Sequence, residues 1–406
     1  MKIAVICTSD TIGGAAISTT RLTNALSKHG AEAQLIVLKK GSKNLRVEEA
    51  GGDFEKKLAF YTERLKIYLN NGFSRKNLFK VSTASDGIKL ADNPTVKEAD
   101  AIILSWINQG MLSLAEIQRI IKTGKPVIWL MHDMWCFTGI CHHAFGCDGY
   151  KHECGECKFL KGKKNDLSHK VWLKKNKIYS DSKIHFVAVS NWLKEKALAS
   201  ELLREMPVEV IPNAFPVEEY TLPETVRERN KIIMVAERLD DTVKGLGYAI
   251  EALNILAEKH PEIAQKYEMV FVGEIRDNTA LNILKFPYKA TGRISNSKKL
   301  KELYSQSAVV LSSSLYETLG GTLIEGQALG AIPVSFGEGG QRDIIEDGKT
   351  GYIAKYKDSA DLADCIVKAL ESHIEPKTLH SSVLIKFSEE NIAKAYISLI
   401  NKLLRK

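Results

Sequence analysis

The chain has 406 residues, 44% hydrophobic and 26% charged, with only 10 prolines; this is an ordinary globular composition and excludes disordered and fibrous classes. Its length exceeds the roughly 100–200 residues of a single domain, so two domains are expected. A formal net charge of +8 admits nucleic acid, an anionic membrane or a phosphorylated substrate as partner and selects none of them.

Met1-Lys2 is followed by only five apolar residues, Ile3 to Cys7, before Thr8-Ser9-Asp10. That core is too short for a signal peptide, and no apolar run reaches the roughly 18 residues of a membrane span, so a cytoplasmic chain opening on a buried strand is expected. Short apolar runs then alternate with helical periodicity, as in parallel strands joined by crossover helices. Strands are predicted at 3–7, 35–38, 102–104, 127–131, 185–189 and 208–211. Pro212-Asn213 and the polar stretch through Pro223 to Asn230 read as a linker. A second series follows at 232–235, 269–272, 309–311, 332–334 and 352–354, with helices at 248–258, 298–305, 322–329 and 359–371. The pattern predicts an α/β chain of two Rossmann-like doubly wound domains facing across a cleft, residues 1–212 and 213–387, with ligand at the carboxyl ends of the strands. A last helix at 389–404 gathers Ile392, Ala393, Tyr396, Ile397, Ile400 and Leu403 on one face, and residues 388–406 are expected to pack back on the first domain.

Three motifs sit at predicted strand ends. Gly13-Gly14 follows the first strand and opens a helix, either as an anion-binding turn or as a plain tight turn; it lacks the G-x-G-x-x-G spacing of a dinucleotide fingerprint. Arg238 and Lys244, the second beside Gly245, supply two cations where a diphosphate would need both, with a solvated charge pair as the alternative. Between Ser312 and Gly351, Glu317 precedes Gly320-Gly321 at a helix start, and Glu325 lies one turn into that helix. This spacing suits backbone N–H groups on a phosphate and carboxylates on sugar hydroxyls.

Glu317 and Glu325 as E-x7-E, Arg238 with Lys244, and Gly13-Gly14 together resemble the retaining nucleotide-sugar glycosyltransferases of family 4. The resemblance implies a GT-B fold, with a UDP- or GDP-type donor held by the C-terminal domain and the acceptor by the N-terminal one. It assigns Arg238 and Lys244 to the diphosphate, Glu317 to the transferred sugar and Glu325 to the ribose. The backbone of Thr318, Leu319, Gly320, Gly321 and Thr322 would complete the sugar and phosphate contacts, Arg293 and Ile294 would lie against the base, and Gly13 and Gly14 would close over the phosphates. His132, after the fourth strand, matches the family histidine that contacts the donor sugar near the reacting carbon. From the residues alone, His132-Asp133 is either a core histidine or a base with its orienter, although neighbours on an extended chain point to opposite faces. His132-Asp133-Met134-Trp135 before a cysteine-rich loop also resembles bacterial exopolysaccharide and capsule glycosyltransferases, which implies a glycan or lipid-linked acceptor.

That loop, 136–160, spaces Cys141, Cys147, Cys154 and Cys157 by five, six and two residues, beside His142, His143 and His152. One C-x2-C pair with two nearby thiols fits a structural zinc site, with free thiols as the alternative. Cys136 is left out of the ligand set. Lysines are dense nearby, at Lys151, Lys158, Lys161, Lys163, Lys164, Lys170, Lys174, Lys175 and Lys177. A second basic group (Lys56, Lys57, Arg64, Lys66, Arg75, Lys76, Lys80) interleaves with Phe60, Tyr61, Leu65, Tyr68 and Leu69. It reads as an amphipathic helix on the anionic inner membrane face or as a solvated basic surface.

Charge developing on a leaving phosphate can be met by Arg238, Lys244 and a helix N-terminus, so no cofactor is expected for the chemistry. Asp240-Asp241 lacks the spacer of a metal-binding D-x-D. No carboxylate stands out for double displacement, which favours front-side transfer. The rival readings are a nucleotide-sugar epimerase of the same fold and a nucleic-acid binder using the cysteine and lysine loop. The donor motifs favour the transferase, and no nucleic acid is expected as partner.

Overall fold

The structure, a computed structural model, describes residues 1–222 and 228–405, so part of the expected linker, from Pro223, lies outside the described residues. Two compact units form: Met1–Phe215 together with Glu389–Lys406, and Pro216–Ser388. The division thus falls after Phe215 rather than at Pro212.

The first unit is a seven-stranded sheet of β1 (Lys2–Ile6), β2 (Glu32–Val37), β3 (Val47–Glu49), β4 (Ala101–Leu104), β5 (Val127–Met131), β6 (His185–Ala188) and β7 (Val208–Val210). All pairs are parallel, in the order β3-β2-β1-β4-β5-β6-β7. Every residue of β4, β5 and β6 is buried, as expected where helices cover both faces of a parallel sheet. Several of those helices begin on a side-chain cap: Ser113, Asp166 and Ser190 each accept a backbone N–H of the first turn. The final helix, Glu389–Leu404, packs on the helix Gly14–Lys28, where Lys28 and Glu389 pair at 3.5 Å. Its buried face is Ile392, Ala393, Tyr396, Leu399 and Ile400; Leu399 is buried, whereas Ile397 and Leu403 are half-exposed.

The second unit holds β8 (Lys231–Arg238), β9 (Glu268–Glu274), β10 (Tyr288–Ala290), β11 (Ser307–Ser312), β12 (Ile332–Phe336) and β13 (Tyr352–Ala354), again all parallel, ordered β10-β9-β8-β11-β12-β13. Its core joins Ile232, Met234, Phe271, Val309 and Phe336 of the sheet to Leu253, Leu256, Leu362 and Ile366 of the covering helices. The strand order reverses between β1 and β4 in one sheet and between β8 and β11 in the other. Such switch points open a crevice at the strands' carboxyl ends.

Two strands escaped the sequence reading, β3 and β10. Both are three-residue edge strands; β3 carries two glutamates and β10 is exposed throughout. An edge strand is held by one ladder of backbone bonds and needs no apolar run. Among the described residues no helix is long and apolar enough to cross a membrane.

Candidate functional site

The second sheet's switch point brings together residues far apart in sequence. β8 is bulged between Val235 and Arg238, and past the bulge Arg238 pairs with Glu274 at the end of the ladder. The chain is then pinned by Leu239, whose side chain is buried and whose N–H bonds to the Glu274 carbonyl at 2.9 Å. Asp241 accepts from the Val243 N–H at 3.2 Å and closes a single 3-10 turn, Thr242–Lys244. Two bonds stitch this turn to the segment after β11: Leu315 N–H to the Val243 carbonyl at 2.8 Å, and Ser313 Oγ to the Lys244 carbonyl at 3.0 Å.

That stitching sets Lys244 Nζ 2.9 Å from Glu317 Oε2. The Glu317 charge holds the Lys244 ammonium above its usual pKa against the opposing pull of burial, so Lys244 is a cation at neutral pH. Side-chain exposures of 28% and 22% leave both groups within reach of a ligand. Arg238 lies 3.4 Å from Asp240 and 3.7 Å from Asp241, so the adjacent aspartates accompany a cation.

Gly245, at φ 64, turns the chain from Lys244 into the helix Leu246–Lys259, and a Cβ there would strike the Ser313 carbonyl oxygen. Gly245→Ala is expected to cost about 1–2 kcal/mol for the left-handed backbone alone. Moving Ser313 also strains its Oγ bond to the Lys244 carbonyl, so the urea midpoint should fall by more than the backbone cost alone.

After Glu317 the chain meets the Gly339-Gly340 turn: Gly340 N–H bonds to the Glu317 carbonyl at 2.9 Å, and a Cβ on Gly340 would run into the backbone of Thr318 and Leu319. Leu319 is buried. Gly320, at φ 104, opens the helix Gly321–Ala328, whose first turn holds no acidic residue to offset its positive end. Thr322 and Glu325 are half-exposed on that helix. Arg293 pairs with Glu237 at 3.4 Å, both largely exposed, which places the loop of Arg293 and half-exposed Ile294 beside the end of β8. A hollow of about 550 Å³ borders the Asp241–Tyr248 segment, but Arg238, Lys244 and Glu317 do not line it. Its lining carries four carboxylates, Asp240, Asp241, Glu251 and Asp277, the first two of them paired with Arg238.

In the first unit, Gly13 (φ 90) and Gly14 start the helix after β1. His132 follows β5 with its Nε2 buried and without a hydrogen-bond partner. Burial lowers its pKa to about 4 despite the neighbouring Asp133, so the imidazole is neutral at physiological pH. Asp133 does not orient His132. Its carboxylate accepts from His142 Nδ1 at 2.7 Å, from Trp106 Nε1 at 2.9 Å and from the Trp135 N–H at 2.8 Å, and His142 stacks on Trp106. Burial alone would raise the Asp133 carboxyl, but His142 and these bonds hold it at about 2. The base-and-orienter reading of His132-Asp133 is therefore corrected. The Asp133–His142–Trp106 network left no sequence signal, because Trp106 enters from the loop after β4.

A pH dependence follows for His132. Between pH 4 and 6.5 the unfolded chain binds this proton and the folded chain does not. Stability therefore rises with pH across that window and is lost as pH falls toward 4. His132→Gln should flatten that part of a urea-midpoint profile.

Cys141, Cys147, Cys154 and Cys157 all line one small cavity, of about 20 Å³. Backbone N–H groups of Gly149 and Gly139 point at the sulfurs of Cys147 and Cys154, at 3.4 and 3.3 Å. Burial pushes the Cys141 thiol up to about 12 and Cys157 up to about 11. No disulfide joins them, and among the described residues no three His, Cys, Asp or Glu side chains stand close enough to hold a metal ion as placed. Lys175, one of the lysines dense around the loop in sequence, is fully buried: its ammonium bonds to the carbonyls of Trp135 and Thr138 and lies over the Trp135 ring. Tyr179 and Ser200 hold the next two carbonyls, of Cys136 and Phe137. The post-β5 segment is thus fixed by buried donors.

Two all-parallel sheets of seven and six strands, each with helices around it, match the GT-B fold of solved glycosyltransferases. Residues 218–382, most of the second unit, match the family model described as Glycosyl transferases group 1. A probable sucrose-phosphate synthase of Thermosipho melanesiensis is 26% identical over 187 residues, 42% of this chain and 41% of that protein. The putative colanic acid biosynthesis glycosyl transferase WcaC of Escherichia coli is 28% identical over 94 residues, 22% of this chain and 23% of that one. The matches span less than half the length of these relatives. Anabaena Alr3699/HepE, solved with UDP and glucose, superposes with a TM-score of 0.64 at 16% identity, covering 99% of both chains. A glycosyltransferase of Rickettsia africae gives 0.66 at 15% identity, covering 100% of this chain and 99% of that one. At these identities the likeness establishes the fold.

Proposed function

We propose that this chain is a retaining glycosyltransferase that moves a hexosyl group from a nucleoside diphosphate sugar to a glycan or lipid-linked acceptor in bacterial surface polysaccharide synthesis. The observation that carries the reading is the Lys244–Glu317 pair at the β8/β11 switch point, 2.9 Å across, with Arg238 ending β8 and the Gly320-Gly321 helix start following Glu317 in the chain. A donor diphosphate would engage Lys244 and Arg238, leaving Glu317 to accept from the hydroxyls of the transferred sugar. The acceptor oxygen forms its bond to the anomeric carbon as the carbon–oxygen bond to phosphate breaks. The electron pair goes to the phosphate oxygen, which takes the acceptor proton on the same face. A UDP-type donor is supported by HepE, solved with UDP and with UDP-glucose, and the polysaccharide role by WcaC, named for colanic acid biosynthesis. Thermal-shift measurements with UDP, GDP and their sugars should raise the unfolding midpoint for one nucleotide series. No shift with any of them, or epimerised nucleotide sugar formed without acceptor, overturns the reading.

A structural zinc ion is proposed for Cys141, Cys147, Cys154 and Cys157. Their shared cavity is close to the roughly 10–15 Å³ that a single water-sized occupant needs, and four sulfurs suit a soft tetrahedral cation. The left-handed backbone of Cys154, Gly155 and Glu156 makes the tight turn between the paired thiols. Binding requires the side chains to rotate inward and lose their protons. Purified protein should carry zinc, with the four thiols reacting with a thiol reagent only after chelation, and Cys154→Ser should lose the metal. Metal-free protein with freely reactive thiols refutes the site.

A further inference from the structure

The helix Asp53–Asn70 has a buried face and a second apolar face that nothing in its unit covers. Ala59, Glu63, Arg64 and Ile67 point inward. Outward stand Phe54, Leu58, Tyr61, Leu65 and Leu69, between 50% and 79% exposed. Their spacing of four, three, four and four residues makes one continuous stripe. The segment that follows extends it with Phe73 and Phe79, 67% and 63% exposed. Phe60 and Tyr68, read from sequence as part of the lipid-facing set, are half-buried, and Arg64 is turned inward onto Glu63. Seven of the sixteen large exposed hydrophobic side chains among the described residues thus fall between positions 54 and 79. A concentration of that kind marks an interaction surface.

The first turn of the helix carries Asp53 and Glu55 beside Phe54; beyond it the charge around the stripe has one sign. From Lys56 to Lys80 the only carboxylate is Glu63, which is buried and bonded within the fold, whereas Lys57, Lys66, Arg75, Lys76 and Lys80 are exposed. Exposed Lys161, Lys163 and Lys164 adjoin the end of the helix, where Lys161 N–H meets the Asn70 carbonyl and the Lys161 side chain packs over Gly72. Aromatic and leucine side chains rimmed by lysine and arginine, on a helix anchored along its opposite side, complement an anionic bilayer: the stripe enters the headgroup boundary and the cations meet the phosphates. We propose that the face formed by Phe54, Leu58, Tyr61, Leu65, Leu69, Phe73 and Phe79 docks the chain on an anionic lipid surface.

This rests on the exposed face and not on donor chemistry, so it stands or falls separately from the glycosyltransferase reading. Full-length protein should sediment with phosphatidylglycerol-containing vesicles, fail to sediment with pure phosphatidylcholine vesicles, and release as sodium chloride is raised beyond the screening range. Leu58→Asp with Leu65→Asp should lower vesicle partitioning at least tenfold while leaving the unfolding midpoint and nucleotide binding unchanged, because both side chains are exposed in the fold. Lys66→Gln with Lys76→Gln should remove the preference for anionic lipid. Equal binding by the aspartate variant, or none by the parent, overturns the proposal. A dimer in sedimentation equilibrium that the aspartate variant abolishes also overturns it, by assigning the stripe to a second copy of the chain.

Discussion

Lys244→Ala is expected to lower kcat by about two to three orders of magnitude, the usual cost of removing one preorganised group that meets charge developing in the transition state. It should also weaken nucleoside diphosphate binding, because Arg238 is left as the one cation of the pair, with Asp240 and Asp241 beside it. Glu317→Gln separates the two roles. It removes the anion that competes for the Lys244 ammonium 2.9 Å away, so nucleotide affinity should hold or rise while transfer falls. Isothermal titration with the nucleotide and turnover with the sugar donor read the two effects. Unchanged nucleotide affinity in Lys244→Ala would remove the diphosphate from this site.

The second large effect is on stability. Glu63 is fully buried, and its Oε1 accepts from Ser82 Oγ and the Thr83 N–H, both at 2.6 Å, and from the Ala84 N–H at 2.8 Å. Its Oε2 pairs with Arg64 at 2.6 Å, and Arg64 in turn donates to the carbonyls of Leu78 and Val81. Glu63→Ala leaves a buried guanidinium and two backbone donors without their anion, which should cost about 3–5 kcal/mol. Glu63→Gln keeps an acceptor for Ser82 and the backbone and should cost less. Urea denaturation monitored by circular dichroism gives the ordering, and an alanine cost below about 1 kcal/mol would mean the network does not hold this helix. Because the same helix carries the exposed apolar stripe, vesicle binding should weaken together with stability in Glu63→Ala and independently of it in the Leu58 and Leu65 variant.

The central strands were legible because a parallel strand covered on both faces must be a continuous apolar run. Residues 102–104 and 127–131 could hardly be read otherwise. The cation and carboxylate motifs were legible because each sits at the end of such a strand. Side-chain partners were not. Asp133 neighbours His132 in sequence yet bonds to His142, because successive side chains on an extended segment point apart while a folded loop returns another ring to the carboxylate. Arg64, read as surface charge, and Lys175, one of the lysines dense around the loop in sequence, are buried, one satisfied by a carboxylate and the other by carbonyls and a tryptophan face. Composition counts charges without saying which of them find partners inside.

The sequence by itself determined the α/β alternation, the two series of strands, and the residue types at their carboxyl ends, since periodicity and strand burial are local consequences of side-chain order. Only the tertiary structure decided that Lys244 and Glu317, 73 residues apart, form one pair. It placed the four cysteines grouped from sequence around one cavity and decided which face of the helix Asp53–Asn70 stays uncovered. Those outcomes depend on which strand ends the sheet order makes adjacent and on which helix faces find a neighbour. Both are properties of packing between segments that no single segment encodes.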